Sequence, residues 1–192
     1  MIIQANETNA ADFPRRFDQI FFLIGLLLFA LGQGLLAQGR DFISAQTPID
    51  WAHWSLLIGA LCMLPFVGRL PRRNLHLLSI PLLILGIAAI VGMNVIDFIA
   101  WSLPPGEFED DVFSHLIATD VIWLPFIRYG PNEIFIAGLL LPTLSYFRVS
   151  RLGTALVYLG FVVMYVGPAL FNMFGYLIMT AGYFLNFNRL RS

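Results

Sequence analysis

The sequence predicts an all-α integral membrane protein, a polytopic bundle of about six transmembrane helices. Of its 192 residues, 58% are hydrophobic and only 12% are charged. The mean hydropathy of +0.78 is well above that of soluble domains. The hydrophobic residues also form long uninterrupted runs, and roughly twenty helical residues cross a bilayer core about 30 Å thick. We therefore expect the lipid bilayer to surround most of the chain.

The hydrophobic runs give the expected spans in order. The first four runs cover residues 18–37, 51–68, 77–101 and 132–147. Residues 152–187 then continue without a charge, which is too long for one span. The Gly167–Pro168 step predicts a helical hairpin there, with spans 152–167 and 169–187. A single tilted helix with a proline kink is the alternative, because membrane helices tolerate proline.

The arginines predict the orientation of these spans. All eleven basic residues are arginines. With six spans and both termini in the cytoplasm, only Arg40 and Arg128 fall outside, as the positive-inside rule requires. This topology makes 18–188 a single transmembrane domain between short cytoplasmic tails, 1–17 and 189–192.

That orientation depends on the segment 108–128. We interpret it as an external, interfacial or re-entrant helix that ends at Gly130 and Pro131. If it crossed the membrane instead, Arg148 and Arg151 would move to the outside and the arginine asymmetry would weaken.

Composition and motifs exclude several classes of function. The chain has no lysine for Schiff-base chemistry, and its single cysteine, Cys62, forms no intramolecular disulfide. Signatures of serine hydrolases, zinc proteases and phosphate-binding loops are absent. No basic cluster suggests nucleic acid as a partner. We expect no catalytic residue, no metal ligand and no cofactor from these patterns.

Two polar residues in the third predicted span, Asn94 and Asp97, are candidate binding residues. An ionisable side chain within a span is costly unless it is paired or hydrated, so Asp97 suggests a functional site. The alternative is that Asp97 lies near enough to the outer end of the span to reach headgroup water.

The stretch "GEFEDDVFSHLIATDVIWLPF" supplies two further candidates, His115 and Asp120. On one continuous helix, the acidic run 107–111 caps the first turn. Asp120 then falls at the centre of the apolar face and is predicted to point toward Asp97. His115 lies on the opposite side with Asp111, so these residues cannot hold one metal ion.

The other two histidines have simpler interpretations. His53 lies between Trp51 and Trp54 at the entrance of the second span, which indicates an interfacial histidine. His76, beside the arginines before the third span, is expected to face lipid headgroups.

Three hypotheses of function follow. The first is a non-enzymatic membrane protein that binds or transports a small ligand or ion through an external vestibule containing Asp97 and Asp120. The second is an accessory or structural subunit that packs against other membrane proteins. The third is an intramembrane enzyme that uses one of these carboxylates as acid or base.

Overall fold

The computed structural model describes residues 16–72, 75–103 and 106–190, and no strand occurs within them. The predicted all-α class is confirmed for this part of the chain. Most of the two predicted tails, together with Arg15, Arg73 and Arg191, lies outside it. The helices are α1 Arg16–Leu36, α2 Arg40–Ser44, α3 Trp51–Gly68, α4 Leu75–Ser102, α5 Glu107–Ala118, α6 Asp120–Trp123, α7 Phe135–Tyr146, α8 Arg151–Val166 and α9 Leu170–Arg189.

The length and composition of the helices are compatible with a membrane protein. Within the described ranges, four helices are long and apolar enough to cross a bilayer: α1, α3, α4 and α9. Helix α8 is apolar but has only 16 residues. Large apolar side chains also remain exposed on the outward faces, among them Leu27, Leu31, Leu78, Leu85, Leu159 and Val162. Lipid tails are the natural solvent for such faces.

Helices α6 and α7 belong to one longer helix. The π-helical segment Leu124–Ile134 joins them without a break, so a single helical rod covers residues 120–146. The backbone N–H of Phe135 donates to the carbonyl oxygen of Gly130, five residues earlier, as a π-helix requires. We call residues 120–146 the π-containing rod.

The π-containing rod corrects two expectations. The predicted helix 108–128 is divided at Thr119, whose backbone is not helical (φ −99°, ψ 85°). The predicted stop at Gly130 and Pro131 does not occur, because the wider π turn carries the chain through a proline that an α-helix disfavours. Gly130 also packs closely on α4: a Cβ there would lie 2.2 Å from that of Ala89.

Successive long helices pack antiparallel. The Arg69 guanidinium, just after α3, lies 3.1 Å from the carboxylate of Asp18 at the start of α1. Helix α4 runs against the π-containing rod, with Gly86 on Phe135, and α9 returns beside α1, with Tyr176 on Phe29. The last apolar run, residues 152–187, is thus a hairpin of α8 and α9 rather than one kinked helix.

This alternation gathers the arginines at one end of the bundle. Six of those in the described ranges lie there: Arg16, Arg69, Arg72, Arg148, Arg151 and Arg189. Arg40 and Arg128 lie toward the opposite end. We call these the arginine-rich end and the far end.

Glycines bring the helices into backbone contact. A Cβ on Gly160 of α8 would lie 2.5 Å from the carbonyl oxygen of Gly175 in α9. The same two helices approach closely at a second point, where a Cβ on Gly182 would lie 2.6 Å from the carbonyl oxygen of Gly153. Small residues at such crossings are typical of membrane helix pairs, because close backbone approach gives the dispersion contacts that hold helices together in lipid.

Candidate functional site

A pocket of about 310 Å³ lies at the far end of the bundle, between α2, α3, α4 and α5. Its ionisable lining residues are Arg40, His53, Asp97 and Asp110. Trp101 and Phe113 add aromatic surface, and the Arg40 guanidinium lies 5.9 Å from the centre of the Phe113 ring. The pocket is open to the surface and combines charge with aromatic walls, as small-molecule sites commonly do.

His53 is held in the wall of this pocket by Asp50. Asp50 is the N-cap of α3, and one carboxylate oxygen accepts a hydrogen bond from the backbone N–H of His53 at 3.1 Å. The other carboxylate oxygen bonds to Nδ1 of the His53 ring. Asp50 is only 1% exposed, so this carboxylate is committed to His53 and the helix start.

Asp97 approaches the same histidine from the neighbouring helix. Its Oδ2 lies 3.3 Å from Nε2 of His53, so the imidazole ring stands between two carboxylates. The antiparallel packing of α3 on α4 creates this meeting. Beside it, the rings of Trp54 and Phe98 pack with centroids 5.3 Å apart.

The chemistry of the arrangement follows from its donors and acceptors. A neutral imidazole has one N–H, whereas an imidazolium has two and can donate to both Asp50 and Asp97. The site contains three carboxylates, those of Asp50, Asp97 and Asp110. It contains two basic side chains, Arg40 and His53. The site can therefore hold a proton or a cationic group.

Asp97 is the one predicted binding residue that lines this pocket. Asn94 is fully buried, and its amide nitrogen donates to the carbonyl of Ile90 in its own helix at 2.7 Å. His115 is exposed on α5. As ligand-binding residues, all four candidates remain predictions.

The expected inward orientation of Asp120 was wrong, since its side chain is exposed. The prediction assumed one continuous helix over 108–128. The non-helical backbone at Thr119 rotates α6 relative to α5, so a helical wheel drawn through both assigns the wrong face.

The histidines also differ from their sequence interpretations. His53 is not simply interfacial, because it pairs with two carboxylates. The spacing Asp-x-x-His at a helix start could have indicated the Asp50 contact, but nothing local indicates Asp97. His76 is buried rather than facing headgroups, with its ring 6.0 Å from that of Tyr146.

Comparison with known proteins adds no relative. No protein-family model matches the chain, and neither the curated proteins nor the solved structures give a match.

Proposed function

We propose that this chain is a multi-pass protein of the cell membrane that binds, and in this way can transport, a small charged ligand or ion through its far-end pocket. The bundle has six spans in this proposal: α1, α3, α4, the π-containing rod, α8 and α9. Both termini lie on the cytoplasmic side, at the arginine-rich end.

The antiparallel order of the long helices supports this topology. Helix α8 is short for a span, and the π-containing rod includes charged residues. Both nevertheless lie antiparallel to their neighbours in the bundle, as the four candidate spans α1, α3, α4 and α9 do. The arginine-rich end then satisfies the positive-inside rule, and the far-end pocket opens on the outside.

Cysteine labelling tests the topology. In a Cys62→Ser background, we expect a membrane-impermeant maleimide applied to intact cells to label Asp111→Cys on α5. It should label Val149→Cys, an exposed position between α7 and α8, only after the cells are opened. Labelling of Val149→Cys from outside would contradict the six-span arrangement.

One observation carries the ligand-binding proposal: a buried carboxylate positions His53, which meets Asp97 on the wall of an open pocket. The buried Asp50 carboxylate is costly to desolvate unless it is paired, and a concentration of ionisable groups around a cavity is typical of a binding site. The pocket offers walls on several sides to a small molecule, together with polar groups that can orient it.

Two matched variants test this proposal. The purified protein is screened by ligand-induced thermal shift against inorganic cations, amines, carboxylates and amino acids, and hits are measured for uptake. We expect Asp97→Asn to weaken binding of the hit about tenfold or more, since each 1.4 kcal/mol changes affinity tenfold. Asp111→Asn, which removes an exposed carboxylate on α5, should behave as wild type.

One result would contradict this expectation, and a second would then favour the alternative. Equal behaviour of both variants would remove Asp97 from the binding site. If partner proteins also remained bound to the Asp97→Asn variant, the accessory-subunit alternative would gain.

Acid–base catalysis is a second candidate, favoured by the Asp50–His53 contact. A carboxylate that orients a histidine is the arrangement of a catalytic base, and Asp97 lies within reach of the second ring nitrogen. Recovery of the ligand separates the two candidates. Chemical conversion that is lost in His53→Gln favours an enzyme, whereas an unchanged ligand favours binding.

A further inference from the structure

A second pocket, of about 360 Å³, lies on the side of the bundle between the π-containing rod and the α8–α9 hairpin. We call it the lateral groove. Its walls are mostly apolar and include Leu140, Phe161 and Met164. Its polar groups are the carboxylate of Glu133, the amides of Asn132 and Asn172 and the hydroxyl of Tyr165. The groove lies near the far end, beside the turn between α8 and α9, and in the proposed topology it faces lipid at the outer edge of the bilayer.

Glu133 is the only charged residue among those lining the lateral groove. Within the described ranges it makes no ion pair, and Arg128 lies over the ring of Tyr129 instead, 5.2 Å from its centre. At 1.5 Å per residue, Glu133 is roughly 20 Å along the rod from Tyr146 at the arginine-rich end. On the opposite wall Tyr165 and Asn172 flank the turn between α8 and α9, so the exposed Glu133 lies near the outer boundary of the hydrocarbon layer, where a carboxylate without a counter-ion favours a cation.

The two amides carry side-chain oxygens that are available as acceptors in the groove, and Asn172 also keeps one N–H. The amide nitrogen of Asn132 donates to the carbonyls of Arg128 and Ile127 at 2.7 and 3.3 Å. The amide nitrogen of Asn172 donates to the side-chain oxygen of Gln33 at 3.3 Å. The carbonyl oxygens of both amides therefore remain to accept hydrogen bonds or face positive charge, as the Glu133 carboxylate does.

We propose that the lateral groove binds a lipophilic cation, a positively charged group carrying apolar chains or rings, which enters sideways from the bilayer. The charge pairs with Glu133 and the two amide oxygens. The chains or rings replace lipid against Leu140, Met164 and Phe161, and the aromatic faces of Phe161 and Tyr165 attract the cation further. An anion of the same shape meets the Glu133 carboxylate and is rejected.

This inference shares only the membrane placement with the function proposed above, because Glu133 and Asp97 line different pockets. The same experiment can therefore separate them. Asp97→Asn should leave binding in the lateral groove unchanged, whatever it does to the far-end pocket.

Binding of radiolabelled tetraphenylphosphonium to the full chain in phosphatidylcholine nanodiscs tests the proposal, with empty nanodiscs subtracted. We expect Glu133→Gln to weaken binding at least tenfold, because it keeps the size and loses the charge. Ala137→Phe should weaken it similarly by filling the groove while Glu133 stays. The matched control Asp111→Asn, which removes an exposed carboxylate on α5, should bind as wild type.

The isosteric anion tetraphenylborate separates charge recognition from simple partitioning. We expect it neither to bind above empty nanodiscs nor to compete with the cation. Equal binding of the two ions would overturn the proposal, and so would wild-type affinity in Glu133→Gln. Each variant is first compared with wild type by elution volume and helical circular dichroism. If Glu133→Gln misfolds, Ala137→Phe together with the anion comparison on the wild-type chain decides.

Discussion

Replacing Gly160 by leucine is expected to prevent the α8–α9 hairpin from packing and to abolish the folded protein. A Cβ at this position would lie 2.5 Å from the carbonyl oxygen of Gly175 and 2.6 Å from Cγ of Met179. The first of these atoms is backbone and cannot rotate away, so the two helices must separate. Separation also loses the second close approach, between Gly153 and Gly182.

The size of the substituent should grade the effect. Gly160→Ala adds one carbon, and overpacking of this kind costs about 1–3 kcal/mol. Gly160→Leu adds three more carbons and should leave no monodisperse species. Thermal unfolding in detergent measures the loss of stability in Gly160→Ala. Size-exclusion chromatography shows whether Gly160→Leu forms a monodisperse species. Gly68→Leu is the control, because a Cβ on Gly68 meets nothing within 4 Å. Equal loss in both leucine variants would contradict the proposed role of the glycine crossing.

Asp50→Ala is expected to lower stability and also to remove ligand binding in the far-end pocket. Asp50 caps α3 and holds the ring of His53, and it is almost completely buried. Loss of an N-cap costs about 0.5–2 kcal/mol. The half-buried ring of His53 also loses its hydrogen-bond partner, which adds to this cost.

Asp50→Asn separates the two roles. Asparagine caps helices as well as aspartate, so most of the stability should return, while the negative charge beside His53 does not. We expect this variant to unfold near the wild-type temperature but to bind the pocket ligand more weakly. Asp41→Ala, an exposed carboxylate on α2, serves as the control. A wild-type unfolding temperature in Asp50→Ala would contradict the capping role.

The sequence alone was sufficient for the long apolar helices α1, α3, α4, α8 and α9, because their signals are local. Uninterrupted apolar runs predicted 51–68 and 77–101, where the structure has Trp51–Gly68 and Leu75–Ser102. The Gly167–Pro168 step predicted the break between α8 and α9 for an equally local reason, since proline disrupts the helical ladder at its own position. Asp97 stood out because a charge within an apolar run is costly wherever its partner lies.

The direction in which the Asp120 side chain points could not be predicted from local signals. It depended on the backbone at Thr119, where one non-helical residue rotates everything after it. The course of the chain through Pro131 depended on how closely Gly130 packs on α4, which stabilises a helical form that sequence patterns do not signal.

Both pockets were likewise decided by tertiary structure. His53 and Asp97 are 44 positions apart and meet only because α3 and α4 pack antiparallel. Glu133 became notable only when α8 and α9 enclosed an apolar groove around it. The sequence by itself determined which segments are helical and apolar, since that follows from each residue and its neighbours along the chain. Which polar side chains share a cavity depends on helix rotation and crossing, and only the packed bundle sets those.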